Sequence, residues 1–416
     1  MQIHDLINRA EKDCQPLFSA LEETEMRNTR RVLDAFHEED IAVRHFAPTT
    51  GYGYDDIGRD KLEAVFARLF GAECAIVRPG IACGTAALSL CLFGLLLPGD
   101  HLLSATGAPY DTMETVIGLS GHAPGNLKEM GVSYSQVDMA DNQTRIDAQG
   151  VLDAITPHTK VILIQRSRGY AWRSSLRPEE MAPLISAVRS VRPDIFIMVD
   201  NCYGEFICET EPTHFGADVC VGSLIKNPGG GLAPTGAYLA GTKRAIERIE
   251  ARLTAPGLGR EVGSYAASYQ PFYQGLFLAP HTVTQALKTA ILSARVFELL
   301  GMKTTPASNA PRADIIQAIE MGDPNRLIAF VQGIQAASPI DGSAVPEPWD
   351  MPGYADQVIM AAGTFVSGAS IELSADAPMR APYTVYLQGG LTYAHGKLAL
   401  QCALEKMQKN GSLSLS

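Results

Sequence analysis

The stretch Ala217-Asp-Val-Cys-Val-Gly-Ser-Leu-Ile-Lys-Asn-Pro-Gly-Gly-Gly231 decides the reading of this chain. An apolar run, Ala217 to Val221, leads into the turn Gly222-Ser223-Leu224-Ile225, and Lys226 follows, backed by Asn227-Pro228 and three glycines. Upstream, Ile195-Phe-Ile-Met-Val199 ends directly in Asp200. Short, continuously apolar runs of this kind read as buried parallel strands. A buried strand ending in a carboxylate, beside a lysine in a glycine-lined turn, is the arrangement a pyridoxal 5'-phosphate (PLP) enzyme requires. The lysine forms a Schiff base with the cofactor and the carboxylate keeps the pyridine nitrogen protonated. Taken alone, a lysine beside glycines is an ordinary solvated loop residue, so the reading needs support from elsewhere in the chain.

Working outward, further apolar runs at 74–77, 101–104, 132–137, 161–164 and 237–240 predict strands. Between them lie helical patterns: Leu62, Val65, Phe66, Leu69 and Phe70 with Gly71 as a stop, 85–97 ended by Pro98-Gly99-Asp100, and 178–191 with proline in its first turn. Alternation of helices with continuously apolar strands predicts an α/β fold with a mostly parallel sheet covered on both faces. Residues 1–45 read as an N-terminal helical arm, 46–255 as a PLP-binding large domain, and 256–416 as a smaller α+β C-terminal domain. In the last, helical patterns at 282–300 and 326–337 precede strand-like runs at 358–364, 370–374 and 384–387, which predict an antiparallel sheet.

Several residues join Lys226 and Asp200. Cys83-Gly84-Thr85 lies between a strand and a helix start, where free backbone N–H groups and the helix dipole favour a phosphate. Gly84 would admit a close approach and Thr85 would add a hydroxyl, although an ordinary strand-to-helix turn has the same look. Tyr110 follows the 101–104 strand and is placed to lie flat on a pyridine ring, or simply to pack as a surface aromatic. Ser223, three residues before Lys226, is a candidate phosphate ligand or a turn hydrogen bond. All of these fall just after predicted strands of one parallel sheet, the edge at which open α/β sheets bind ligands.

Composition narrows the classes. Apolar residues make up 46% of the 416 and charged residues 19%, enough for a large core and unlike a disordered chain. A formal charge of −11 opposes a nucleic-acid or anionic-membrane partner. There is no 18-residue apolar span, and the N-terminus lacks the regions of a signal peptide, so a cytoplasmic protein is expected. The eight cysteines include no C-x-x-C pair and read as reduced thiols, neither a disulfide framework nor a zinc site. His214, His281 and His395 have no metal-ligand spacing, and no metal is expected.

Longer segments carry a family likeness: Thr49-Thr-Gly-Tyr-Gly-Tyr-Asp-Asp-Ile-Gly-Arg-Asp60, Pro109-Tyr-Asp-Thr112, Gln165-Arg-Ser-Arg-Gly-Tyr170, Val199-Asp-Asn-Cys-Tyr-Gly-Glu205, the Gly222–Gly231 loop, and Tyr386-Leu-Gln-Gly-Gly-Leu-Thr-Tyr393. Together they resemble the carbon–sulfur lyases known as aluminium-resistance or cystathionine β-lyase-like proteins, which are similar to methionine γ-lyase and belong to the fold type I PLP enzymes. The resemblance runs from about residue 30 to 405. It implies that Lys226 carries the cofactor, Asp200 pairs with its ring nitrogen, and Tyr110 stacks on it. Cys83, Gly84, Thr85 and Ser223 would surround the phosphate. It also implies a segment reaching into a neighbouring subunit's site, with Tyr54 toward the cofactor and Tyr52 or Arg59 toward the substrate. Arg380 is the candidate for the substrate α-carboxylate, since a guanidinium matches that group. A homo-oligomer with shared sites, a dimer of dimers, follows from the same likeness. The chain departs from the family pattern at Cys83, Ala86 and Ala108, where serine, histidine and lysine are common, which leaves the substrate open.

The expected chemistry is elimination from an L-amino acid. The released lysine amine removes the α-proton, and a leaving group departs from Cβ, or from Cγ after a second proton is taken. The leaving group is a thiol for thioethers such as cystathionine or methionine, and a halide for a γ-halogenated amino acid. An aminotransferase or a γ-replacement enzyme would use the same lysine and aspartate. Ser223-Leu-Ile-Lys226 also matches the S-x-x-K acyl-enzyme motif, but the companion S-D-N and K-T-G signatures are absent. A non-catalytic binding protein would need neither Lys226 nor Asp200. Gly51-Tyr-Gly53 has no preceding apolar strand and is not a dinucleotide loop.

Overall fold

The computed structural model describes residues 2–121, 123–351 and 356–415. Its larger sheet contains β1 (Cys74–Arg78), β2 (His101–Ser104), β3 (Ser133–Gln136), β4 (Thr159–Gln165), β5 (Phe196–Asp200), β6 (Val219–Ser223) and β7 (Ala237–Gly241), in the order β1-β7-β6-β5-β4-β2-β3. The pairings β6–β5, β5–β4, β4–β2 and β2–β3 are parallel, and only β7 runs antiparallel to its neighbours. Side-chain alternation builds both faces. Leu103, Ile162, Ile164, Ile197, Val199 and Cys220 enter one core, while Leu102, Val161, Leu163, Phe196, Met198 and Val219 enter the other. With both faces covered by helices, the middle residues of the central strands β4, β5 and β6 had to be apolar, and that made them legible.

A second sheet, of β8 (Thr304–Thr305), β9 (Gln317–Glu320), β10 (Val358–Ala361), β11 (Ser374–Pro378) and β12 (Thr384–Gln388), has the order β10-β11-β12-β9-β8 and is antiparallel throughout. The helices Pro324–Ala336 and Tyr393–Lys409 share its core, as does the front of the 36-residue helix Ile3–Glu38, through Ile3, Leu6, Ile7, Ala10, Cys14 and Phe18. Two expected strands differ. The 370–374 run is a turn up to Leu373, and β11 begins at Ser374. Glu372 bends there so that both carboxylate oxygens accept backbone N–H groups, from Phe365 at 2.7 Å and Val366 at 2.9 Å. The 358–364 strand likewise ends at Ala361, since residues 362–364 turn to meet that carboxylate. β8 and β9 escaped the pattern reading because they are two and four residues long.

The helix expected at 282–300 in fact starts at Gln270 and runs to Leu299. Gly275, inside the turns ahead of that expected start, is there for contact. A Cβ on it would stand 2.1 Å from the Gly229 carbonyl oxygen, and one on Gly230 would stand 2.4 Å from that of Gly275. The helix therefore crosses directly against the backbone that follows Lys226, and the glycine run is what permits the crossing. Gly275→Ala should destabilise the fold by about 1–3 kcal/mol through overpacking. Chemical denaturation of the two proteins measures it, and an unchanged midpoint would refute the close crossing.

Candidate active site

The parallel strands deliver their carboxyl ends to one rim, and there a cavity of about 350 Å³ opens. Cys83, Gly84, Thr85, Tyr110, Asp200, Ser223 and Lys226 all line it, the seven residues the rim argument picked out. Gln165, Cys202, Tyr203, Ser367 and Gly368 are also on its wall. Cys83 caps the helix Gly84–Leu95, its Sγ accepting from the Ala86 N–H at 3.4 Å. A helix start leaves its first N–H groups without intrahelical partners, so this end of the cavity carries donors and positive dipole. A Cβ on Gly84 would lie 3.5 Å from Cys202 Sγ and 3.5 Å from Ser223 Cβ, filling the cradle between them. The Thr85 hydroxyl meets that of Thr112 at 3.0 Å, and Ser223, the last residue of β6, is buried.

Lys226 is half-buried, with its Nζ 4.0 Å from the centre of the Tyr203 ring. Burial works against its charge, but Cys202, Tyr203 and Asp200 around it overcome that and raise its pKa. Burial pushes the Asp200 carboxyl up, while Lys226 and the Cys202 N–H, 3.1 Å from Oδ1, oppose the shift. A half-buried carboxylate in this position is stabilised by any further cation brought beside it.

A second cavity, of about 380 Å³, shares Tyr110, Gln165 and Gly169 with the first. Arg380 lies on its wall, with a side chain 53% exposed and paired to Asp356 at 3.1 Å. The other three expected residues lie away from Lys226 within this chain. Tyr52 and Tyr54 are 69% and 57% exposed and stack on each other at 5.6 Å. Arg59 is only 2% exposed; its NH1 donates to the Gly53 carbonyl at 2.8 Å and its Nε to Asp60 at 2.8 Å, so it fastens the 51–53 turn.

Sequence reasoning assigned no role to Cys202, Tyr203, Gln165, Ser367, Gly368 or Asp376. The first three sit at or beyond strand ends that were read correctly, so strand position was an available signal. Ser367 and Gly368 arrive from the small domain with no local signal at all. Asp376, on β11, is fully buried; burial pushes its pKa up to about 6, against hydrogen bonds from Tyr170 and Gln388, the latter at 2.7 Å, and the charge of Lys226.

Behind the Lys226–Asp200 pair lies a dry polar network. Arg166 donates to Asn201 Oδ1 at 2.8 Å and Glu211 Oε2 at 3.2 Å, and Asn201 Nδ2 donates to Glu211 Oε2 at 2.9 Å. The Tyr238 hydroxyl donates to Glu205 Oε1 at 2.7 Å, while Glu205 Oε2 has no partner. Asn201 follows Asp200 directly, so the network fixes the backbone that carries the carboxylate.

The methionine gamma-lyase family model matches residues 3–408 of the chain. The chain belongs to the methionine gamma-lyase family. Bacillus subtilis (strain 168) YnbB is 50% identical to it over 96% of the chain and 95% of the relative. The crystal structure of the carbon–sulfur lyase involved in aluminium resistance from Clostridium novyi NT superposes with a TM-score of 0.93 at 48% identity, covering 97% of this chain and 96% of that one. L-methionine gamma-lyase of Pseudomonas putida is more distant, 28% identical over 48% of this chain and 45% of the relative. The Escherichia coli PLP-dependent protein YhfS, at 17% identity and a TM-score of 0.62 over 94% of this chain and 97% of that one, shares the fold. These likenesses place the chain in the fold type I architecture.

Burial, opposed by Tyr238 and the local backbone, raises the Glu205 carboxyl from 4.5 to about 8. The native state therefore holds a proton that the unfolded chain releases, and the resulting stability is lost as pH rises from 4.5 through about 8. Glu205→Gln, permanently neutral, should gain in melting temperature over the wild type across that window and not below it. Parallel melting curves with pH would show that Glu205 ionises freely in the fold.

Proposed function

We propose that the protein is a PLP-dependent carbon–sulfur lyase that eliminates a thiol from Cβ or Cγ of an L-amino acid thioether of the cystathionine or methionine kind. One observation carries the reading: an amine, a carboxylate, an aromatic ring and a helix N-terminus with a flanking hydroxyl converge on a single cavity. The residues fit the cofactor chemically. The Gly84, Thr85, Cys83 and Ser223 end suits a phosphate, with the Gly84 cradle open to it. Asp200, half-buried and with its pKa raised, gains from a pyridinium beside it. Tyr110 provides a flat face, and Lys226 the amine for the aldehyde. Tyr54, exposed and stacked on Tyr52, extends from the molecule in the manner of a residue completing a neighbouring subunit's site, which supports a homo-oligomer.

When bound, PLP supplies the electron sink that allows a proton to leave the substrate α-carbon. The protein's own groups do the rest. Lys226 Nζ takes that proton as general base. Asp200 would hold the ring nitrogen with its negative charge, and the network through Asn201 and Arg166 keeps the carboxylate in place. Arg380, on the wall of the adjoining cavity, binds the α-carboxylate. For a Cγ leaving group, Lys226 gives up the first proton before it takes the second, from Cβ. One proton leaves on the departing thiolate as free thiol, the other returns to product carbon, and hydrolysis yields ammonia and a 2-oxo acid.

Purified protein supplied with PLP should show a visible absorption band and release thiol, ammonia and 2-oxo acid from cystathionine or methionine. Lys226→Ala should lose or alter the band and lower the rate by roughly 10²–10⁴-fold, the contribution of a general base. A colourless protein in the presence of PLP would overturn the cofactor assignment. Turnover that depends on a 2-oxo acid acceptor, with no thiol released, would make it an aminotransferase.

A further inference from the structure

Tyr203 stands three residues past Asp200 and has no part in the chemistry above. Its ring lies under the Lys226 amine, 4.0 Å from Nζ to ring centre, and the phenol adds to the field that favours the ammonium. Its φ of 71° is left-handed, a region a bulky L-residue occupies only where surrounding contacts hold it. Three contacts do so here. Asn227 Nδ2, on the residue next to Lys226, donates to the Tyr203 carbonyl at 3.0 Å. The Tyr203 hydroxyl and Ser370 Oγ are 3.0 Å apart. The ring packs on a small-domain cluster of Ile316, Ala318 and Tyr386. Lysine and ring are thus fixed to each other and to both sheets.

Resting on the function proposed above, we infer that Tyr203 is the positioning residue for the lysine. Its ring face and hydroxyl hold the Lys226 ammonium that forms when the amine takes the substrate α-proton. In that step the Cα–H bond breaks and its electron pair stays with the substrate. The proton forms a new N–H bond on Lys226, and it leaves later on the departing thiolate. In a half-buried site the water shell of that ammonium is incomplete, and contact with an aromatic face makes up for what is missing. The other ionisable groups facing the amine are Asp200 on β5, Cys202 on the same turn and Asp376 on β11. Asp200 is committed to the ring nitrogen and Asp376 to Gln388 and Tyr170. Tyr203 is the group that can follow the amine as its charge changes.

The test is the pH dependence of PLP uptake by the full-length apoprotein. Growth of the visible band is followed in the wild type, Tyr203→Phe and Tyr203→Leu, with borohydride trapping to confirm that Lys226 is the amine modified. Only the uncharged amine condenses with the aldehyde, so the profile reads how firmly the proton is held. Tyr203→Leu should shift the profile to lower pH and speed uptake near neutrality by about tenfold, the factor expected for one desolvated cation–aromatic contact. Tyr203→Phe, which keeps the ring and loses the hydroxyl, should shift it in the same direction by less. Thermal melting checks that the variants fold, and if Tyr203→Leu does not, the shift in Tyr203→Phe decides. A residue that only supports the fold would lower the melting temperature without moving the profile. Profiles that superimpose while the wild type takes up PLP would overturn this inference alone. A wild type that takes up none would overturn the proposed function with it.

Discussion

A lysine ammonium removed from water has to be compensated where it lies, and the centre of this molecule is organised around that constraint. Lys226 is met by Asp200 from the neighbouring strand, by the face of Tyr203 and by the thiol side chain of Cys202. Each of these reaches it only because β5 and β6 are adjacent and parallel, so that both chains turn away from the sheet at the same rim. The backbone beyond the lysine is then pinned from the other side by the close crossing at Gly229, Gly230 and Gly275. Position and charge of one amine are thereby set by two separate devices, an electrostatic one in front and a steric one behind.

The same logic explains the polar network under the sheet. Asn201, Arg166, Glu211, Tyr238 and Glu205 are buried together, an arrangement that adds little to stability for its own sake. What it contributes is geometry. Arg166 and Glu211 hold Asn201 from both ends of its amide, and Gly222 leaves room for Glu205, since a Cβ there would lie 2.5 Å from its carboxyl oxygen. The residue before Asn201 is Asp200, so a fixed Asn201 is a fixed carboxylate. Burying charge in quantity at one spot is expected where a reaction needs a group held still.

The large-domain half of this arrangement was legible in the sequence because its physical requirements are local. A strand covered on both faces must be continuously apolar, and a group at its end must reach the ligand rim, so Gly84, Thr85, Tyr110, Asp200, Ser223 and Lys226 announced themselves by position. The small domain obeys looser rules. Its strands are short, Glu372 folds what looked like a strand into a turn, and Ser367, Gly368 and Asp376 come to the site through tertiary packing that no window of sequence contains. Gly275, ahead of the helix expected at 282–300, is a related case. In isolation it weakens a helix, and only the loop packed against it shows why the chain accepts that.

This division of legibility follows a division of labour. The rim of the large sheet holds the groups that any substrate of the proposed chemistry would need: base, ring partner and phosphate site. The small domain stands where substrates would differ, along the Arg380 wall that adjoins the Tyr110 side of the cavity. A reaction type can be carried by a few residues at strand ends, since their spacing is fixed by the sheet. Selectivity among thioethers depends on shape at the seam between elements distant in sequence. Asp376, fully buried on β11 yet within the field of Lys226, shows how near the two regions come. The Tyr203–Ser370 hydrogen bond joins them directly, so the small domain is held to the same turn that carries Asp200 and faces the reactive amine.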